Sequence, residues 1–116
     1  MPTGGCLFCK IITGTVPATL VREDDRTLAF RDISPQAPTH VLVIPKDHYP
    51  NVAEMTAADP GLLADVLRTA VAVADDEGIT ERGYRITFNT GRDAGQTVFH
   101  VHAHVLGGRG LGLPGG

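Results

Sequence analysis

Apolar and polar positions change period several times along the chain, and each change marks an element. Leu7, Ile11 and Ile12, with Phe8 beside them, have the spacing of a short amphipathic helical turn, which Gly14 ends before Val16-Pro17. Three β-rich runs follow, near Ala18–Glu23, Thr27–Arg31 and His40–Ile44, divided by Asp24-Asp25 and by the Asp32–Thr39 loop with its two prolines. Such close spacing predicts an antiparallel meander. Asp59-Pro60 is a strong helix start, because a carboxylate caps free N–H groups and proline needs no donor at the first helical position. Leu62, Leu63, Val66, Leu67, Ala70, Val71 and Ala74 then give one apolar face, with Gly78 as the stop. Beyond it the period returns to two: Tyr84, Ile86 and Phe88 alternate with Arg85, Thr87 and Asn89, and Val101, Ala103 and Val105 alternate with three histidines. The prediction is an α+β fold, a five-stranded antiparallel sheet with one long helix and a short N-terminal helix.

Composition narrows the function. A chain of 116 residues is read as one domain, 1–116, with a glycine-rich tail at 107–116 that cannot hold regular structure alone. The formal net charge of −3 argues against general nucleic-acid binding, which needs a basic footprint. No apolar stretch approaches the roughly 20 residues that span a bilayer, so no membrane partner is expected. Met1-Pro2-Thr3-Gly4-Gly5 lacks the basic and apolar regions of a signal peptide, so the expected compartment is the cytoplasm. Cys6 and Cys9 are too few and too close for a secreted disulfide framework and are expected as thiols.

The chemistry concentrates in His100, His102 and His104. In a strand, residues two apart share a face, so the three imidazoles line up while Val101, Ala103 and Val105 anchor the other side. Histidine suits nucleophilic and proton-transfer work near neutral pH, since its neutral ring keeps a free lone pair. A backbone carbonyl accepting from Nδ1–H would leave Nε2 free to attack. The preceding loop, Asn89 to Val98, supplies glycines and polar groups of the kind that approach phosphate oxygens. The competing readings are a metal site built from all three histidines, or a merely exposed stripe.

His100-Val101-His102-Ala103-His104-Val105-Leu106 is similar to the signature of the histidine triad family, and Asp32-Ile33-Ser34-Pro35-Gln36-Ala37-Pro38-Thr39-His40 resembles its nucleotide-binding Hint branch. The similarity covers nearly the whole chain and implies the HIT fold. By this resemblance His102 is the nucleophile, and His100, His104 and the distant His40 complete the catalytic set. Asn89, Gly95, Gln96 and Thr97 match positions that bind phosphate or orient the histidines; Thr97 stands where many members have serine and keeps the hydroxyl. Leu7, Phe8, Ile11, Phe30 and Ile33 would form a purine slot, with Asp32 on the ribose hydroxyls. Without the family, Phe8, Ile11 and Phe30 read as plain core and Asp32 as a turn residue.

Cys6-x-x-Cys9 on one helical turn offers two thiolates to a tetrahedral zinc, and His48 is the natural third ligand. The bacterial members that this N-terminus resembles hold zinc with such cysteines, this histidine and the first histidine of the triad, here His100. The alternative is a pair of small buried thiols beside an exposed loop histidine.

The resemblance implies hydrolysis of purine nucleoside 5′-phosphoramidates at the P–N bond through a nucleotidyl-histidine, with purine mononucleotides as ligands, zinc as a structural metal and no organic cofactor. The alternatives are a dinucleoside polyphosphate hydrolase and a non-catalytic nucleotide-binding regulatory module. It also implies a two-fold homodimer joining sheets edge to edge. One departure stands out: Hint relatives often end in a tryptophan-containing tail reaching into the partner's site, whereas this chain has no tryptophan and ends Leu113-Pro114-Gly115-Gly116.

Overall fold

The computed structural model describes residues 5–112. The expectations placed on residues 1–4 and 113–116 lie outside the described residues. The elements run α1 (Leu7–Ile12), β1 (Leu20–Glu23), β2 (Thr27–Arg31), β3 (Thr39–Pro45), α2 (Val52–Ala58), α3 (Pro60–Asp76), β4 (Tyr84–Phe88), a 3₁₀ turn (Arg92–Ala94) and β5 (Ala103–Gly107). The five strands form one sheet in the order β1-β2-β3-β5-β4, antiparallel at every pairing. The first three strands make the expected meander. The last strand then inserts between β3 and β4, which puts the histidine segment beside the middle of the sheet.

Burial on both faces explains why β3 reads as a continuous apolar run: all seven of its residues are buried. Val41 and Val43 join Val101, Ala103 and Val105 against α3. On the opposite face Leu28, Phe30, Leu42 and Ile44 pack under Phe8 of α1. No described helix is long and apolar enough to cross a membrane.

The long helix starts where expected, with the Asp59 side chain accepting from Leu62 N–H at 3.1 Å and Pro60 in the first turn. Arg26 clamps that start through Asp59 at 2.5 Å and Asp65 at 3.0 Å. Its buried face differs from the predicted one. Leu62, Val66, Thr69, Ala70, Val73 and Ala74 are buried, whereas Val71 is exposed. At 3.6 residues per turn, Val71 stands about 180° around the helix from Leu62. Thr69 takes the inward position because its hydroxyl pairs with that of Thr27 at 2.7 Å.

Helix α2 is an addition to the predicted set. Its start was present in the sequence as Asn51-Val52-Ala53-Glu54: the Asn51 side chain accepts from Glu54 N–H at 2.9 Å, an N-cap with an acid at the third position. Regular β5 also begins only at Ala103, since Val101 N–H bonds Tyr49 C=O at 2.9 Å rather than a neighbouring strand. The alternation nevertheless holds, with Val101, Ala103 and Val105 all buried on the α3 side.

Candidate functional site

Each triad histidine is fixed by a different neighbour, and the partners determine the tautomers. His100 is fully buried, and its Nε2–H donates to Pro45 C=O at 2.8 Å, leaving Nδ1 with a lone pair. Nδ1 of His102 lies 2.8 Å from the His100 carbonyl and must donate to it, so Nε2 of His102 keeps its lone pair. At His104 the decisive contact comes from β3. Gln36 N–H donates to His40 Nδ1 at 3.0 Å, so the His40 proton sits on Nε2, 2.9 Å from His104 Nδ1 and 3.5 Å from an Asp32 oxygen. His104 therefore accepts at Nδ1 and carries its own proton on Nε2.

Burial keeps these rings neutral. Removal from water pushes His104 down to about 4, helped by repulsion from His102 and His40 and opposed by Asp32. His100 is pushed down to about 4 by burial, against the Pro45 carbonyl, with His48 and His102 adding repulsion. Burial also lowers His102, although the His100 carbonyl and Asp32 oppose the shift. A neutral imidazole with an uncommitted Nε2 is a competent nucleophile near pH 7.

His102 and His104 open onto a cavity of about 330 Å³. Its apolar end is formed by Leu7, Phe8 and Ile11 from α1 and by Phe30 and Ile33; its polar end by Asp32, Asn89, Gly95 and Thr97. The structure thus brings all nine to one space. Leu42, Val98 and Arg31 line it as well and were not foreseen. Leu42 was accessible to sequence reasoning through its alternation with His40, while its place opposite His104 came only with the β3–β5 register.

Several side chains sit differently from a simple wall. Phe8 is only 4 % exposed, and its ring meets those of Phe30, His100 and His102 edge-on, with centroids 5.5, 5.9 and 5.0 Å away. It is core and cavity wall at once. Ile33 is 98 % exposed, so that end of the slot stands open to water. Asp32 also does the work of a turn residue, accepting from Ser34 N–H at 2.7 Å. Gln96 does not line the cavity: its side chain is buried, with Oε1 accepting from Gly91 N–H and Nε2 donating to Pro50 and Val98 carbonyls. It pins the loop whose glycines, Gly91 and Gly95, hold φ of +86° and +85°, a region that side-chain-bearing residues rarely adopt. His40 and His100 also stand behind the cavity.

A second cluster lies beneath Phe8. Cys6, Cys9, His48 and His100 bring one ligand atom each to within 4.8 Å of one another. Cys6 Sγ is 3.4 Å from His100 Nδ1, Cys9 Sγ 3.4 Å from His48 Nδ1 and 3.6 Å from His100 Nδ1, and the two Nδ1 atoms are 3.1 Å apart. Tetrahedral zinc bonds of about 2.3 Å to sulfur and 2.0–2.1 Å to nitrogen require S···N edges of about 3.5 Å and N···N edges of about 3.3 Å. The donor set fits a metal of that kind.

Residues 13–111 match the HIT domain model. The chain belongs to the HIT domain family. Among relatives of this HIT protein, the purine nucleoside phosphoramidase of Escherichia coli is 48% identical over 106 residues, covering 91% of this chain and 89% of the relative. An uncharacterized HIT-like protein of Synechococcus elongatus is 54% identical over 110 residues, 95% of this chain and 96% of the other. Among solved structures, a HIT family hydrolase from Legionella pneumophila superposes with a TM-score of 0.92 at 51% identity, covering 97% of this chain and 100% of that one. A HIT family hydrolase from Clostridium thermocellum gives 0.91 at 49% identity, with 95% and 96% covered. The α+β arrangement read from the periodicities is the HIT fold of these neighbours.

Proposed function

We propose that this HIT protein is a purine nucleoside phosphoramidase that works through a nucleotidyl-histidine. The observation that carries the reading is the His102 ring, half-buried, neutral and donating from Nδ1 to the His100 carbonyl, which leaves the Nε2 lone pair beside a cavity with an apolar slot at one end. The relative named for this activity supports it.

In the proposed sequence the purine enters between α1 and Phe30, and Asp32 accepts from the ribose hydroxyls. His102 Nε2 attacks the α-phosphorus and forms an N–P bond. The P–N bond of the substrate breaks, and the leaving amine takes its electron pair and a proton drawn from solvent. Water then displaces His102 and releases the mononucleotide. The His104 Nε2–H, the Thr97 hydroxyl and the Asn89 amide offer donors to the phosphoryl oxygens, which carry the charge of the transition state. Gln96 acts by holding the loop, and His40 by fixing the His104 tautomer.

Cys6, Cys9, His48 and His100 would hold zinc as a structural ion, whose role would be to bind the N-terminal helix to the histidine segment. β4 is an edge strand, and pairing of two β4 edges about a two-fold axis would cover its unpaired backbone groups in a homodimer.

The test is His102→Ala. Mononucleotide affinity should stay within a few-fold of the unaltered protein, while turnover of adenosine 5′-phosphoramidate and the acid-labile adduct seen by mass spectrometry should both disappear. Persisting turnover would sink the mechanism.

A further inference from the structure

A second cavity, of about 370 Å³, adjoins the first and shares His104 and Asn89 with it, so the two lie on either side of those residues. It differs from the first in charge. Arg85 and Arg109 enter its wall along with Gln36, Thr87 and Leu106. Arg22, Arg26, Arg31 and Arg68 each hold a carboxylate partner. Arg85 and Arg109 have none among the described residues. Arg85 donates to Gly112 C=O, and Arg109 to Gln36 C=O at 2.6 Å and Gly110 C=O at 2.7 Å. With five N–H donors in each guanidinium, most remain available. Two uncompensated guanidinium groups in one cavity of a protein with net charge −3 make a local anion trap.

Position gives the trap its meaning. The purine end of the first cavity lies under α1, and the phosphorus must sit within reach of His102 and His104. In-line displacement requires the leaving group to depart on the side away from the His102 nucleophile. The arginine cavity contains His104 but not His102 in its wall. We infer that the Arg85–Arg109 cavity is the leaving-group subsite and that it selects conjugates whose leaving group carries an anion, with the carboxylate of an amino-acid-type amine as the fitting ligand. This rests on the phosphoramidase reading. The anion takes no part in the bond changes: it is held by the guanidinium groups while the P–N electron pair and a solvent proton go to the leaving nitrogen.

Three substrates test it: adenosine 5′-phosphoramidates of alanine with its free carboxylate and of alanine methyl ester, and a diadenosine polyphosphate, whose leaving group presents phosphate. The first two share base, ribose and phosphoryl group, and the arginine variants below separate recognition of the carboxylate from the weaker basicity of the ester's amine. The unaltered protein should prefer the free acid by about tenfold or more, and the preference should shrink as salt rises from about 0.05 to 0.5 M. Arg85→Gln and Arg109→Gln should each remove most of that preference while leaving the ester within about twofold, at unchanged melting temperature. Selective loss of polyphosphate turnover in those variants, with the amino-acid pair unaffected, would support the anion subsite and identify phosphate as its ligand. No preference for the free acid together with no selective effect of either variant on any substrate would overturn the inference, even if both phosphoramidates are turned over and the phosphoramidase reading survives. Failure to turn over any of the three would overturn both. The salt response needs no variant, so it decides even if an Arg85 variant folds poorly.

Discussion

His40 and His104 stand 64 residues apart in the chain, yet Nε2 of one lies 2.9 Å from Nδ1 of the other. The contact arises because β3 and β5 are antiparallel neighbours in a register that pairs Leu42 with His104 and His40 with Leu106, so the two rings meet on the diagonal. Gln36 N–H, His40 and His104 then form a chain of hydrogen bonds with one consistent set of tautomers.

Breaking this chain should affect chemistry more than binding. In His40→Ala the His104 ring loses the donor that fixes its tautomer, and Gln36 N–H loses its acceptor. We expect kcat for a phosphoramidate to fall by about 10–100-fold, consistent with 1.4–2.8 kcal/mol of lost transition-state stabilisation. Mononucleotide affinity should change by less than threefold. The measurements are steady-state kinetics and calorimetric titration with AMP; an equal loss in both would contradict a tautomer-fixing role.

The half-buried His104 gives a pH prediction. Its folded-state value of about 4 lies below the usual 6.5, so between these limits the unfolded chain binds more protons than the folded one. Its contribution to stability is complete above pH 6.5 and declines as the pH falls toward 4, by up to about 1.4 kcal/mol per pH unit. Histidine NMR should show the His104 ring protons unshifted from pH 8 to about 5. Titration near 6.5 would contradict the neutral assignment.

Removal of the proposed metal should reach the proposed purine slot through α1. Cys6 and Cys9 bracket Leu7 and Phe8 on the same short helix that carries Ile11, so the proposed zinc ligands and the slot residues are joined covalently. Binding at a thousandfold excess over Kd stabilises by about 4 kcal/mol, which for a chain of this size corresponds to roughly 15–20 °C in melting temperature. Protein stripped with a chelator, or carrying Cys9→Ser, should melt lower by that order. It should also bind AMP more weakly. Metal analysis and differential scanning calorimetry check the two halves separately.

Gly107 tests the packing at the end of β5. A Cβ placed there would lie 2.6 Å from Ile79 Cδ1. Gly107→Ala should therefore destabilise by about 1–3 kcal/mol through overpacking. Ile79→Val removes the nearest atom, and the double variant should recover part of the loss in urea unfolding. Simple additivity would contradict a direct clash.

Much of this protein was written locally. The period-two alternation at 84–89 and 100–105 placed two strands, the second regular only from Ala103, and assigned the faces of their side chains, because neighbouring residues of an extended chain project to opposite sides. Asp59-Pro60 fixed the start of α3 because both residues act within one turn. Val71 shows the limit of that reading. It is as apolar as its neighbours but stands opposite Leu62 on the helix, and packing of Leu62, Val66, Ala70, Val73 and Ala74 against the sheet, with Thr69 pairing to Thr27, turned the other side inward.

The site divides the same way. The sequence determined that three histidines share one face, since that follows from backbone geometry alone. Tertiary structure decided what each of them is: His100 joined to Cys6, Cys9 and His48, His102 held by a carbonyl two residues back, and His104 tied to His40. Tautomer and pKa depend on burial and on partners brought from distant strands, and those distances exist only once β5 has inserted between β3 and β4. The pairing of Arg85 with Arg109 in one cavity arises for the same reason, because no local pattern sets residues 24 apart in sequence side by side.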